Sequence, residues 1–405
     1  MLGQSPIIIY HIGEMLVEYD GSGRESEGRL LKGHTMHRIA IIGVGKIGST
    51  VLDLLVQTGD YQVLLIDQSE QGLAPFIGRD HVDQVAMAIE DPEALAATLT
   101  RFGCFAVVNC APYSLTTIVA QAAKAAGAHY LDLTEDVASS RIVRDLAEGA
   151  QTVFIPQCGL APGFITIAAW DLIKHFDQLH DVRLRVGALP RYPSNALNYN
   201  LTWSTDGVIN EYCEPCEAIV NGRLRETPAL EECEEFSLDG VTYEAFNTSG
   251  GLGTLCLTLD GQVRNLNYKT VRYPGHGAIM KALLNDLNLR NRRDVLKDIL
   301  ENSVPATMQD VVIIFVTVSG MKAGHLMQET YVNKVFAQPI YGEVKSAIQI
   351  TTAGAICAVL DMIVDGQLPS AGFVRQEQIP LPLFLANRFG RFYRSEAHPA
   401  QTAAE

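Results

Sequence analysis

Three glycines spaced as Gly43-Val-Gly45-Lys46-Ile47-Gly48 directly follow an apolar run at residues 39–42. A dinucleotide site needs this arrangement. Gly43 permits a tight turn, Gly45 lets main chain approach a pyrophosphate, and Gly48 lets the next helix pack closely on the strand. The N-terminus of that helix, opened by Lys46 and Ile47, meets the phosphates with partial positive charge. Asp67 ends the following apolar run, where a carboxylate hydrogen-bonds ribose hydroxyls and repels a 2′-phosphate. Gln68, Ser69 and Glu70 supply no arginine to neutralise such a phosphate, so NAD is expected ahead of NADP. Cys110, Ala111 and Pro112 follow a third apolar run at 105–109 and are expected beside the nicotinamide, as is Gly159.

The pattern around these residues predicts what holds them. Strands at 39–42, 62–67, 105–109, 129–133 and 153–156 alternate with helices at 46–57, 92–101 and 114–126. This rhythm implies right-handed crossovers and a doubly wound parallel α/β sheet, a Rossmann domain spanning 36–160. Beyond Gly159, longer strand-like runs at 182–188, 197–204, 243–247, 254–259 and 310–319 predict an α+β domain at 161–345 with a mixed, largely antiparallel sheet. Helical pattern resumes at 346–364, within a C-terminal segment 346–405. Residues 1–35 read as an extension, with an extended translation start ahead of Met36 as one explanation.

The 405 residues suffice for two domains, each with its own core. A net charge of −15 disfavours nucleic acid and anionic membranes as partners. The apolar run 311–318 is far shorter than the ~20 residues of a membrane helix, and the first residues lack a signal-peptide pattern. Eight cysteines spread along the chain suggest a reducing, cytoplasmic setting. Cys213 and Cys216, with Cys233 beyond, read as incidental thiols because no fourth ligand follows at short spacing, so no metal is expected.

The glycine turn, Ala111-Pro-Tyr113, Tyr130-Leu-Asp-Leu-Thr-Glu-Asp136, Gly159-Leu-Ala-Pro-Gly163, Asn247-Thr-Ser-Gly-Gly251 and Tyr268-Lys-Thr-Val-Arg-Tyr-Pro-Gly-His276 together give a resemblance to the saccharopine dehydrogenase family. Within it, the chain is most similar to bacterial lysine 6-dehydrogenases. The resemblance covers residues 36–393. It implies a Rossmann domain, an inserted substrate and dimerisation domain, and a C-terminal segment returning to the first domain. It also implies hydride transfer from a carbon bearing an amine, an amino-acid substrate and a homodimer or higher homo-oligomer. Alternatives are saccharopine oxidation, a reductive coupling of polyamine metabolism and NAD binding without turnover.

An ε-ammonium with a pKa near ~10.4 cannot release hydride, so a base or desolvation must favour the neutral amine. His276, Lys269, Glu135 and Tyr113 are the candidates for moving that proton. Arg272, Lys269 and Arg191 are candidates for binding the substrate carboxylate, and Asp136, Thr248 and Ser249 for other contacts. Ordinary roles compete for each: a capped helix for His276 and Asp136, a surface ion pair for the cations, a loop for 247–251.

Overall fold

Runs of Ile, Val and Leu become strands buried on both faces. The structure is a computed structural model that describes residues 36–394 and a preceding strand pair, Ile8–Ile12 and Met15–Tyr19. The rest of the expected extension, and residues 395–405, lie outside the described residues. The first domain contains β1 (His37–Ile42), α1 (Lys46–Val56), β2 (Tyr61–Asp67), β3 (Val82–Ala86), α2 (Pro92–Phe102), β4 (Ala106–Asn109), α3 (Thr116–Ala126), β5 (His129–Asp132), α4 (Val137–Ala147) and β6 (Val153–Ile155). These strands form one parallel sheet in the order β6-β5-β4-β1-β2-β3. The doubly wound expectation is met. The sequence reading did not include β3, an edge strand without a buried residue, or α4.

The second domain begins with α5 (Phe164–Ile173) and β7 (Gln178–Pro190). It continues through α6 (Thr205–Cys213), β8 (Cys216–Val220), β9 (Arg223–Thr227), β10 (Glu234–Leu238), β11 (Val241–Asn247) and β12 (Val263–Arg272). After α7 (His276–Lys281) and α8 (Arg293–Ser303), β13 (Asp310–Lys322) and β14 (His325–Phe336) complete an eight-stranded sheet ordered β9-β8-β12-β7-β13-β14, with β11 also on β12 and β10 on β11. All its pairings are antiparallel except β12 with β7.

Two expected strands here are corrected. Residues 197–204 alternate apolar and polar, yet they form a loop that touches Ala306 through a single bridge at Leu201. Asn198 takes φ +49°, which breaks any extended run. Residues 254–259 also alternate, but Leu255–Thr258 is one helical turn. That turn brings Thr254 and Thr258, four residues apart, onto one face, where both hydroxyls donate to Glu377.

The chain then returns to the first domain. Helix α9 (Ala347–Val364) packs against α1, and β15 (Gly372–Phe373) adds in parallel to β6. By length and composition α9 could cross a membrane, but 89% of it is buried inside the protein, so it is a core helix that apolar-run length missed. Its start is fixed by Ser346 and Gln349, which cap each other's main chain, and by Asp310, whose carboxylate accepts from the Ala347 and Ile348 amides at 2.5 and 3.0 Å. The helices α1, α5 and α9 and the inner faces of both sheets contribute to one continuous hydrophobic cluster.

Candidate active site

The order of the parallel sheet reverses at β1 and β4, so the loops after those strands part and leave a crevice at their carboxyl ends. A cavity of about 790 Å³ occupies it. One wall carries Gly43, Gly45, Lys46, Ile47, Asp67, residues 109–114 and Gly159. The other carries Glu211, Tyr268, Thr270 and Arg272 from the second domain. Glu135 and Tyr113 line the same space.

The first wall fits a dinucleotide. Gly43 has φ +89°, and a Cβ at Gly48 would lie 2.0 Å from the Gly43 carbonyl, so turn and helix require both glycines. Gly48 packs behind the wall. A Cβ at Gly45 would meet nothing within 4 Å, which leaves an open cradle at the N-terminus of α1. Asp67 accepts the Val44 and Ser69 amides at 2.9 and 2.8 Å. Its carboxylate thereby fixes the glycine turn and retains lone pairs for a ribose. Lys46 reaches across instead, its Nζ donating to the Thr202 carbonyl at 2.8 Å.

Strand periodicity sorts the candidates on the second wall. Successive side chains of β12 point to opposite faces, so Tyr268, Thr270 and Arg272 face the cavity while Lys269, three residues from Arg272, does not. Lys269 is 5% exposed and donates to the Glu232 carbonyl at 2.5 Å and to the Glu234 carboxylate at 3.1 Å, beside Arg185, which also binds Glu234. The expectation that Lys269 and Arg272 act together is therefore corrected.

His276 is also absent from the cavity wall. Its Nδ1 can only donate to the Leu197 carbonyl, at 2.9 Å, which leaves Nε2 to accept from the Tyr212 hydroxyl at 3.1 Å. The Tyr212 oxygen in turn accepts from Arg272 Nε at 2.9 Å. Burial, reinforced by the nearby guanidinium, pushes the imidazole down to about 3. With both nitrogens committed and the ring neutral, His276 supports Tyr212 and through it Arg272, and its expected proton-moving role is corrected. Arg272 is 2% exposed; Nη1 donates to the Val271 carbonyl, and the plane lies against the rings of Tyr199 and Tyr212.

Four further candidates take structural positions. Arg191 is exposed and stacks on Tyr192 and Phe336. Asp136 caps α4 by accepting the Ser139 amide at 2.7 Å. Thr248 pairs its hydroxyl with Thr270 at 2.8 Å, and the Ser249 amide donates to the Glu211 carbonyl at 3.0 Å. Beside them, a Cβ at Gly250 would stand 2.4 Å from the Glu135 carbonyl. The 247–251 loop thus clamps the main chain of both cavity-lining glutamates without entering the cavity itself.

Three carboxyl groups of this crevice are held above the usual carboxylate range. Asp132 ends β5 and is fully hydrogen-bonded: it accepts the Thr134 and Gln157 amides at 3.0 and 2.8 Å and the Tyr130 hydroxyl at 2.9 Å. Burial pushes it up to about 6. Burial likewise raises Glu135 to about 7, aided by Asp136 and Asp132. Glu211 rises to about 8 through burial and the charge of Glu135, against the opposing pull of Arg272. Cys110 is half-buried in the wall, and the loss of solvent around its thiol pushes it up to about 12.

The sequence reading missed Glu211, Thr270, Trp203 and Asp132. The available signal for Glu211 was Ser204 followed by Asp206, a helix start, with a glutamate then set among Ile209, Tyr212 and Cys213. A charge on an apolar helix face marks either a partner or a ligand.

Comparison with known proteins gives matches in two consecutive pieces. Residues 39–153 match the saccharopine dehydrogenase NADP binding domain, and residues 159–388 match the saccharopine dehydrogenase C-terminal domain. The chain is 22% identical over 209 residues to mitochondrial alpha-aminoadipic semialdehyde synthase of Mus musculus, a stretch that is 50% of this chain and 22% of that protein. The Bos taurus counterpart is 21% identical over 199 residues, 47% of this chain and 21% of the relative. The matched stretch is thus only about a fifth of the length of these curated relatives. Apo saccharopine dehydrogenase (L-Glu forming) from Saccharomyces cerevisiae has the same fold, with a TM-score of 0.72 at 15% identity over 86% of this chain and 96% of that one.

Proposed function

We propose, given that the chain belongs to the saccharopine dehydrogenase family, that its cleft oxidises the 6-amino group of L-lysine with NAD. The reaction yields the semialdehyde, NADH, ammonium and a proton, and consumes one water. One observation carries this reading: a buried arginine, Arg272, and a half-buried, raised glutamate, Glu135, line the same cavity as the glycine turn.

The residues Gly43, Gly45, Lys46, Ile47, Asp67 and Gly159 would hold the dinucleotide, with Asp67 favouring NAD by repelling a 2′-phosphate. Bound there, it supplies a hydride acceptor. Arg272 binds the substrate α-carboxylate, a pairing suited to a guanidinium already held in plane by Tyr212 and Val271. Glu135 takes the proton from the substrate ε-ammonium, since a base raised towards neutrality both removes and holds it. Tyr113 closes the nicotinamide side. The exposed apolar residues Leu326, Met327, Val332 and Phe336 on the edge strand β14 support a homodimer, and the proposed setting remains cytoplasmic.

A second reading, oxidation of saccharopine, draws on the likeness to the L-Glu forming enzyme over 96% of that chain. Absorbance of reduced nicotinamide at alkaline pH, with NAD or NADP and with L-lysine or saccharopine as separate substrates, separates the two. Lysine-dependent reduction of NAD is expected. Activity with saccharopine alone would replace the leading reading, and silence with both would end it.

A further inference from the structure

Glu211 is only 6% exposed, and yet it lines the cavity. Among the described residues its carboxylate accepts no hydrogen bond and makes no ion pair; only its main-chain carbonyl is used, by Ser249. Arg272 feels the charge of Glu211 but does not bind it, and Arg272 Nη2 also has no partner among the described residues. A buried guanidinium and a buried, unpartnered carboxyl therefore face one cavity while left apart. A buried ionisable group without a partner is strongly disfavoured, and a ligand carrying both complementary charges would satisfy the two at once.

We propose that Glu211 determines head-group specificity: its carboxylate holds the α-ammonium of the substrate while Arg272 holds the α-carboxylate. The pocket then takes a zwitterionic α-amino acid and discriminates against ω-amino acids, which lack the α-ammonium, and diamines, which lack the carboxylate. The anchoring of both partners suits this selectivity. Arg272 is fixed through Tyr212 and His276, and Glu211 rides on α6, whose main chain is tied to the 247–251 loop. The assignment rests on the dehydrogenase reading for its substrate, but not for the head-group chemistry.

The test compares wild type with Glu211→Gln, an isosteric change that removes the charge. Burial holds this carboxyl protonated towards neutral pH in the ligand-free protein, so the neutral amide is expected to leave the fold intact, and NADH fluorescence titration verifies that it does. With NAD saturating, kcat/KM is measured for L-lysine, 6-aminohexanoate and cadaverine. The preference for L-lysine over 6-aminohexanoate is expected to fall ~30-fold in the variant, the equivalent of one charge-assisted hydrogen bond. An unchanged preference overturns the proposal. Calorimetric binding of L-norleucine against hexanoate to the NADH complex gives a readout that needs no turnover. If lysine is not oxidised but the norleucine preference is present and lost in Glu211→Gln, the lysine reading fails and the head-group assignment stands. If lysine is oxidised and neither preference moves in the variant, the assignment fails and the lysine reading stands.

Discussion

Arg272 can serve a substrate only because its other nitrogens are occupied. The order of donation runs from Arg272 Nε to Tyr212, from Tyr212 to His276 Nε2, and from His276 Nδ1 to the Leu197 carbonyl. Breaking it at the tyrosine leaves a guanidinium N–H and an imidazole nitrogen unsatisfied in a dry interior, at about 1–3 kcal/mol for such a group. Tyr212→Phe is therefore expected to lower stability by about that amount in urea titration and to raise KM more than it lowers kcat. His276→Gln is expected to leave the shape of the pH–rate profile intact while raising KM. Loss of the acidic limb would instead mean that the imidazole carries the catalytic proton. Glu135→Gln should remove that limb and reduce kcat by at least ~100-fold, the usual scale of general-base catalysis.

Elements decide which residues meet, and here sequence legibility divides. The glycine turn, Asp67 and the 110–113 segment follow or end largely apolar runs, and such runs announce themselves; each lines the crevice. Lys269 and Arg272 lie in one motif, but their odd spacing on a strand sends them to opposite faces, a separation visible only once β12 is known to be a strand. The run 197–204 misled because its alternation imitates a strand, whereas its polar and aromatic side chains serve as loop packing. The signal for Glu211 was faint because α6 contains Gly207 and several residues of modest helix propensity, and its apolar face is short. Gly48 provides the sharpest test at this scale. A methyl group there would meet the Gly43 carbonyl at 2.0 Å, so Gly48→Ala is expected to displace α1 from β1 and abolish NADH binding, read by fluorescence titration. Asp310→Ala removes two hydrogen bonds accepted from main-chain amides at the start of α9 and is expected to destabilise the protein by about 2 kcal/mol, again in urea.

For the molecule as a whole, the carboxyl groups of the crevice set a pH dependence. Asp132, Glu135 and Glu211 hold their protons more tightly folded than unfolded, with values near 6, 7 and 8. Their stabilising share is full below the ordinary carboxylate range and is lost as pH rises through those values. Thermal unfolding of the ligand-free protein is expected to show a falling midpoint between about pH 5 and pH 8, and Glu211→Gln should flatten the upper part of the fall.

Because α1, α5 and α9 join both sheets in one apolar cluster, the nucleotide half and the substrate half are not interchangeable parts. A graft made at the 158/159 junction would set foreign side chains against α9 on one side and β13 on the other, and close packing tolerates such mismatches poorly. Descendants of this architecture are thus free to acquire new substrates by altering individual side chains around the crevice, and are denied the quicker route of borrowing a ready-made module.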